Sequence, residues 1–321
     1  KLEPMRLLLS FISLFLVLGA NQITYAQTNP VLEDGEGYVA VNGGKLWYRI
    51  IGEGNETPLL MMHGGPGGTS RSFYLFEKLT KDRPIILFDQ LGTGRSGHHE
   101  DTSLLKVNEF VEQVADLTKH LNLNSVYLYG HSWGTALALE YFSAYSKGVE
   151  GIIFNSPYFS TAIWEADADT LITFLPLATQ KAIAEGEASG DFSAKSYQQA
   201  NSVYLSNYGS RGKRHSSDLD TAKAPGNYFI YNYMWGPSEF SATGTLINYE
   251  IDEALNKISV PVLFTTGDFD EARPSTVKRF TSLVPDAEYL EIPNSGHASG
   301  IDNPKKLIKA HRDFANRIDK E

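Results

Sequence analysis

Residues 126–134 decide the fold, and they read Val126-Tyr127-Leu128-Tyr129-Gly130-His131-Ser132-Trp133-Gly134. The first four form a short apolar run typical of a buried strand, and residues 135–145 have the spacing of a helix. Between them stands the pattern G-x-S-x-G, which marks a sharp strand-to-helix turn that exposes a serine. Glycines flank the serine because such a turn is strained and leaves no room for neighbouring side chains. The stretch therefore predicts that Ser132 is a nucleophile at a helix N-terminus, which stabilises a developing anion.

Strand-like and helix-like segments alternate along most of the chain. Short apolar runs bounded by turn residues are typical of strands buried on both faces of a parallel sheet. Such runs occupy residues 46–51, 59–62, 85–88, 126–129, 152–154, 260–265 and 288–292, with helical spacing at 107–121, 135–145 and 304–318. The alternation predicts an α/β fold, with a mostly parallel sheet and helices on both of its faces.

Residues 159–247 break this rhythm. They are richer in Ala, Ser, Tyr and Gln, with helical stretches near 164–179 and 194–205 and a charged segment, predicted to be exposed, at 210–220. No further strand of the sheet is evident there. We interpret this segment as a helical cap inserted over the carboxyl edge of the sheet. Residues 27–158 and 248–321 form the α/β core that contains the sheet.

A nucleophilic serine needs a histidine base and an acid that orients the base. In folds with this turn the chain order is serine, acid, histidine. The histidines after Ser132 are His215, His297 and His311. His297 directly follows the last predicted strand, whereas His215 lies in a basic stretch and His311 within the terminal helix. We therefore predict that His297 is the base.

The acid should follow the preceding strand, where the chain reads Thr266-Gly267-Asp268-Phe269-Asp270-Glu271. Three carboxylates are available in this segment. We favour Asp270, with Asp268 as the alternative, because spacing alone does not separate the two.

A glycine-rich segment follows an early buried strand and reads His63-Gly64-Gly65-Pro66-Gly67-Gly68. Its position is that of a loop whose backbone N–H groups stabilise an oxyanion. We expect the N–H groups of Gly65 (or Gly64) and Trp133 to converge on the tetrahedral oxygen. The segment fits neither phosphate-loop pattern, G-x-x-x-x-G-K-[ST] or G-x-G-x-x-G.

Net charge and the absence of cysteine exclude several classes of binding partner and of chemistry. A formal net charge of −10 argues against binding to nucleic acid or to an anionic membrane surface. The absence of cysteine excludes thiol catalysis, disulfides and Cys-ligated metals. No metal or organic cofactor is implied by the residues singled out above.

The N-terminal segment 5–26 resembles a secretory signal peptide. A positive start at Met5-Arg6 precedes an apolar run at residues 7–18 and small residues before Gln27. The run is short for a spanning helix, which needs about 20 apolar residues. We expect the leader to be removed and the mature protein to be secreted or periplasmic, without stable membrane association. An uncleaved anchor is the alternative.

Three motifs in order resemble the prolyl aminopeptidase (proline iminopeptidase) family, which belongs to the α/β-hydrolase fold and carries a helical cap. They are residues 63–67 (HGGPG), residues 89–96 (DQLGTGRS) and residues 130–134 (GHSWG). The resemblance covers nearly the whole chain after the leader. The sequence departs from the family pattern at Leu91, where many members have Arg. Because that loop has a structural role, the change does not alter the functional assignment.

This resemblance assigns further residues. Residues 267–274 (GDFDEARP) are similar to the segment that carries the family's catalytic Asp, which favours Asp270 over Asp268. Residues 236–240 (GPSEF) match the segment of the cap that carries a glutamate. In the family, a cap and a loop glutamate hold the substrate's free α-amino group, and these correspond to Glu239 and Glu271.

The resemblance implies a serine exopeptidase that releases an N-terminal residue, preferably proline, from short peptides with a free N-terminus. A carboxylesterase or amidase with the same triad is an alternative, because a fold does not fix a substrate. A non-catalytic binding protein that kept the fold is a second alternative. The residue preferred at the cleavage site and the oligomeric state are not indicated by the sequence.

Overall fold

The computed structural model describes residues 28–212 and 225–320. Its strands are β1 (Gly35–Val41), β2 (Gly44–Ile51), β3 (Leu59–Met62), β4 (Ile85–Phe88), β5 (Val126–Ser132), β6 (Val149–Pro157), β7 (Val262–Gly267) and β8 (Ala287–Ile292). They form one sheet in the order β1-β2-β4-β3-β5-β6-β7-β8. The β1/β2 and β2/β4 pairs are antiparallel, and all later pairs are parallel. The predicted α/β class with a mostly parallel sheet is confirmed.

Alternate residues of the central strands enter two separate cores. Leu60, Ile86 and Leu128 belong to the hydrophobic cluster on one face, and their neighbours Leu59 and Leu87 belong to the cluster on the other. Because successive side chains of a strand point to opposite faces, a strand buried on both sides must be apolar throughout. This is why these strands were recognisable as continuous apolar runs.

Helices cover both faces of the sheet. They are α1 (Val107–His120), α2 (Trp133–Ala144), α3 (Thr161–Ile172), α4 (Leu177–Ser189), α5 (Lys195–Tyr208), α6 (Tyr228–Met234), α7 (Pro274–Thr281), α8 (Ser299–Asp302) and α9 (Pro304–Ile318). Buried residues of α1, α2 and α7 pack in one core. Those of α9 and of a 3-10 segment at Ser70–Lys81 pack in the other.

Helices α3 to α6 lie within the segment that sequence analysis assigned to a cap. Tyr197 and Tyr204 of α5 pack with Leu171 of α3 and Ile183 of α4 in a small hydrophobic cluster of their own. The helical stretch predicted near 164–179 is divided between two helices, since α3 ends at Ile172 and α4 begins after Pro176. Proline has no N–H to donate and disfavours helical backbone in the residue before it.

The antiparallel edge of the sheet was not predicted in full. Strand β1 was missed because its residues are mostly exposed or half-buried, with Val39 as its buried member. Its pairing with β2 is set by the intervening turn at residues 42–43, where Gly43 has a φ of +84°. An edge strand of this kind does not have the apolar run that identified the central strands.

The topology of the sheet brings the candidate site residues to one of its edges. In parallel strands the carboxyl ends meet at one edge, where α/β proteins place their sites. The segments after β3, β5, β7 and β8 carry the residues singled out from the sequence. The predicted leader at 5–26 lies outside the described residues, and within residues 28–212 and 225–320 no helix combines the length and apolarity of a membrane span.

Candidate active site

Ser132 occupies a strained turn between β5 and α2. Its φ of 55° and ψ of −127° are unfavourable for a residue with a side chain, a strain of about 1–3 kcal/mol. The flanking glycines are required by close packing. A Cβ on Gly134 would lie 2.1 Å from the carbonyl oxygen of Met62, and one on Gly130 would lie 2.3 Å from that of Gly134. The turn therefore presents Ser132 at the start of α2, as the sequence predicted.

His297 and Asp270 are brought together from two different loops. Asp270 follows β7, His297 follows β8, and the imidazole Nδ1–H donates to Asp270 Oδ1 at 2.9 Å. The carboxylate accepts further hydrogen bonds from the Ser156 hydroxyl (2.6 Å), the Thr266 hydroxyl (3.0 Å) and the N–H groups of Gly267 (3.2 Å) and Ala272 (2.9 Å). This arrangement fixes the orientation of the imidazole and leaves Nε2 free to accept a proton.

The charge of Asp270 is stabilised despite its burial. Burial opposes ionisation, but the His297 imidazole and the donors from Ser156 and Ala272 outweigh it and lower the pKa of Asp270. A carboxylate with several donors remains ionised over the whole range in which a histidine titrates. Asp270 can therefore stabilise an imidazolium without taking its proton.

The other candidates for acid and base lie apart from this pair. Asp268 accepts the N–H of Ser295 at 2.9 Å and so braces the loop that leads to His297. His311 is buried in α9 between the rings of Phe76 and Tyr129, where burial lowers its pKa to about 3. His215 lies outside the described residues.

Two residues next to the pair were missed by sequence reasoning. Ser156, at the end of β6 with a φ of 52°, donates to Asp270 and contacts the carbonyl oxygen of His297. His131 Nε2–H donates to the same carbonyl at 3.0 Å, and its ring lies 4.8 Å from that of His297. Burial, followed by the nearby His297, lowers the pKa of His131 to about 4. The sequence did offer one signal for His131, because a residue that directly precedes Ser132 must lie close to the site.

The predicted oxyanion-hole residues lie beside Ser132. Gly65, with a φ of +125°, and Trp133 both line the small cavity that contains the serine. Trp133 is the first residue of α2, so its N–H has no intrahelical acceptor. Its indole is directed elsewhere and donates to Gln90 Oε1 at 3.1 Å. The alternative donor, Gly64, packs so tightly that a Cβ there would lie 3.0 Å from the Cβ of Ser132.

Aromatic and aliphatic side chains form the wall of this cavity. Tyr158, Trp164, Trp235 and Leu246 line it together with Pro66. The Trp164 Nε1–H donates to the Glu239 carbonyl, and the Trp235 Nε1–H donates to that of Ser238, both at 2.7 Å. Tyr158 and Leu246 could not be identified from the sequence, because their positions depend on contacts between segments distant in the chain.

Glu239 and Glu271 reach the site from the cap and from the loop after β7. Glu271 is only 2% exposed, its Oε1 lies 3.8 Å from His297 Nδ1, and its Oε2 has no hydrogen-bond partner among the described residues. Burial raises the pKa of Glu271 well above its usual range; His297 opposes this rise, whereas Glu239 and Asp270 add to it. Burial also raises the pKa of Glu239, an effect partly offset by His297 and Tyr231.

Two larger cavities meet at Glu239. One of about 700 Å³ is lined by residues 65–68, by α5 and by the start of α6. The other, of about 300 Å³, contains Glu239, Glu271, His297 and His131. Buried carboxylates with incomplete pairing favour a positively charged occupant, because an unpaired buried charge is costly. The site therefore brings together Ser132, the hydrogen-bonded pair of His297 and Asp270, and two carboxyl groups suited to a positively charged occupant.

Known proteins resemble this chain over most of its length. Residues 57–304 match the alpha/beta hydrolase fold family. The chain is 37% identical to a proline iminopeptidase of Heyndrickxia coagulans over 88% of this chain and 99% of that protein. It is 33% identical, with the same coverage, to a proline iminopeptidase of Clostridium botulinum. The crystal structure of VinJ superposes with a TM-score of 0.82 at 27% identity, covering 88% of this chain and 99% of that one.

Removal of the Ser156 hydroxyl tests whether the network around Asp270 orients the base. A hydrogen bond to a charged group contributes about 1.5–3 kcal/mol. If that energy holds the imidazole in place, Ser156→Ala should slow acylation of Ser132 by a fluorophosphonate by about 10- to 100-fold. Ser143→Ala, on the exposed surface of α2, is the control and should react at the wild-type rate. Unchanged reactivity of Ser156→Ala would show that the hydroxyl does not orient the pair.

Proposed function

The chain belongs to the proline iminopeptidase family of α/β hydrolases, and on that premise we propose that it is a serine exopeptidase that releases an N-terminal residue, preferably proline, from short peptides. The observation that carries this proposal is two carboxyl groups beside His297: the buried Glu271, whose Oε2 has no hydrogen-bond partner among the described residues, and the half-buried Glu239. Glu239 also lines the cavity that contains Ser132. A substrate carbonyl at Ser132 therefore lies close to a site suited to an ammonium group.

This pair explains why a free N-terminus would be required. An aminopeptidase selects one residue by measuring from a charged amine to the carbonyl that is attacked. Two carboxylates in a buried site gain Coulombic energy from an ammonium ion, whereas an N-blocked peptide leaves them buried and unpaired. The distinction is large because losing one partner of a buried charge pair costs about 2–5 kcal/mol.

The proposed reaction is acyl transfer in two steps. His297 accepts the proton of Ser132, whose oxygen attacks the carbonyl carbon of the first residue, while Asp270 holds the imidazole in place. The N–H groups of Gly65 and Trp133 stabilise the tetrahedral oxyanion, each by about 3–4 kcal/mol. The imidazolium then protonates the leaving amine, and water hydrolyses the acyl-enzyme by the same route.

The cavity next to Ser132 supports a preference for proline. Its walls include Tyr158, Trp164, Trp235 and Leu246, which offer apolar surface to a compact ring. The indole and hydroxyl groups do not compete for the substrate, because the tryptophan N–H groups bond to backbone carbonyls and the Tyr158 hydroxyl contacts Thr161. A pyrrolidine ring packed against these side chains would leave none of these polar groups without a partner.

Paired substrates test the proposal. The protein from Gln27 onward should cleave L-proline p-nitroanilide and not its N-acetyl derivative, and Ser132→Ala should abolish the reaction. Glu239→Gln should lower kcat/KM for the free amine by about 30-fold or more, the equivalent of at least 2 kcal/mol. Glu253→Gln, an exposed glutamate on a 3-10 turn, is the matched control.

Equal cleavage of the free and acetylated substrates would contradict amine recognition. It would instead indicate an amidase or esterase that uses the same serine. The comparison of the two substrates is therefore decisive between the two classes.

We further propose that the protein is exported, on the evidence of the leader-like segment 5–26. Expression of the whole chain in a bacterial host should yield a processed form that begins near Gln27 outside the cytoplasm, as N-terminal sequencing of cell fractions would show. Replacing Leu14 and Leu16 by Arg interrupts the apolar run and should retain the unprocessed chain in the cytoplasm. Export of that variant would contradict the proposal.

A further inference from the structure

Three carboxylates surround a single imidazole in this site. Asp270 Oδ1 lies 2.9 Å from His297 Nδ1, and Glu271 Oε1 lies 3.8 Å from the same nitrogen. Glu239 lines the same cavity of about 300 Å³. One carboxylate is sufficient to orient a catalytic histidine, so the second contact at Nδ1 requires a separate explanation.

The other neighbours of His297 do not offset this negative charge. His131, from β5, lies against the imidazole with its ring tilted by 47° and stays neutral because burial lowers its pKa. Trp164, from α3, packs edge-on at 5.5 Å. The buried hydroxyls of Tyr204 in α5 and Tyr231 in α6 stay protonated, since burial raises the pKa of each well above its usual range. The imidazole therefore faces three acids from one side and neutral groups from the others.

We propose, resting on the function proposed above, that Glu271 holds His297 in its protonated and inactive form until the substrate's α-ammonium group binds Glu271 and Glu239 and releases the imidazole to act as the base. The amine would then switch on the catalytic histidine as well as anchor the substrate. Glu271 acts in this step through His297 and is also the contact for the amine.

The direction of the effect follows from charge. Burial on its own would lower the pKa of His297, but Asp270, Glu271 and Glu239 outweigh it and raise the pKa to about 9. A general base must be neutral, so below this pH most free enzyme is inactive. In the free enzyme the imidazolium is the positive partner of Glu271 and Glu239, because His297 opposes the rise that burial imposes on the pKa of both glutamates. The bound ammonium replaces it as their partner and repels the imidazolium, which lowers the pKa of His297.

The step balances in protons. Free enzyme with an imidazolium binds a substrate ammonium, and the imidazolium Nε2 loses its proton to solvent. The substrate keeps its own proton, which is shared in hydrogen bonds with Glu271 and Glu239. An N-blocked peptide supplies no charge, so it leaves His297 protonated even when its side chain fits the cavity. Discrimination then resides in kcat as well as in KM.

Inactivation by a small uncharged fluorophosphonate tests this role, because the reagent needs Ser132 and His297 but carries no amine. The second-order rate constant is measured against pH for the wild type, Glu271→Gln and Glu253→Gln. We expect a wild-type midpoint near pH 9. Glu271→Gln should lower it by about one pH unit or more, so that the variant reacts about 10-fold faster than the wild type at pH 7, or more. Glu253→Gln removes an exposed charge outside the site and should leave the midpoint close to the wild-type value.

A midpoint for Glu271→Gln equal to or above that of the wild type would overturn the proposal. A second measurement needs no variant: the acid limb of kcat for L-proline p-nitroanilide should fall below the wild-type inactivation midpoint, and coincidence of the two would also overturn it. Failure of the aminopeptidase function is recognised separately, by equal cleavage of the acetylated and free substrates. The inactivation midpoints decide the role of Glu271 in either case.

Discussion

The site depends on the burial of negative charge around one imidazole. Asp270 is 1% exposed and Glu271 is 2% exposed, and both lie on the loop after β7, within 4 Å of His297 Nδ1. Carboxylates are removed from water in this way only where partners compensate the cost. Asp270 has its partners within the protein: the imidazole, two hydroxyls and two backbone N–H groups. Glu271 has the imidazole at the longer distance of 3.8 Å, and its Oε2 has no hydrogen-bond partner among the described residues. That difference supports an orienting role for Asp270 and a binding role for Glu271.

The scaffold supplies this arrangement through the geometry of parallel strands. Loops after β5, β6, β7 and β8 converge at one edge, so residues far apart in the chain meet without a long excursion of the backbone. Two serines at strand ends, Ser132 and Ser156, have positive φ values of 55° and 52°. The sheet between the two hydrophobic cores holds these unfavourable conformations, which place Ser132 in the cavity that Gly65 and Trp133 line and direct the Ser156 hydroxyl at Asp270.

The sequence predicted those parts of the structure that depend on local pattern. The central strands were recognisable because both faces are buried, and the turn at Ser132 because glycines are required on both sides of it. Asp270 and Asp268 could not be separated by spacing, since their difference lies in which carboxylate meets His297 and which meets Ser295. Ser156, His131 and Tyr158 were missed for the same reason: each acts through a partner distant in the chain. Strand β1 lacks an apolar run, and the break at Pro176 was overlooked although proline marks it.

The most direct test of amine recognition beside the serine is a crystal structure of Ser132→Ala with an intact tripeptide, Pro-Gly-Gly, in the site. The N-terminal nitrogen should lie about 3 Å from carboxylate oxygens of both Glu239 and Glu271. The pyrrolidine ring should pack against Trp164 and Trp235, with the first carbonyl oxygen directed at the N–H groups of Gly65 and Trp133. A peptide whose N-terminal nitrogen lies in the 700 Å³ cavity, away from both glutamates, would contradict this recognition.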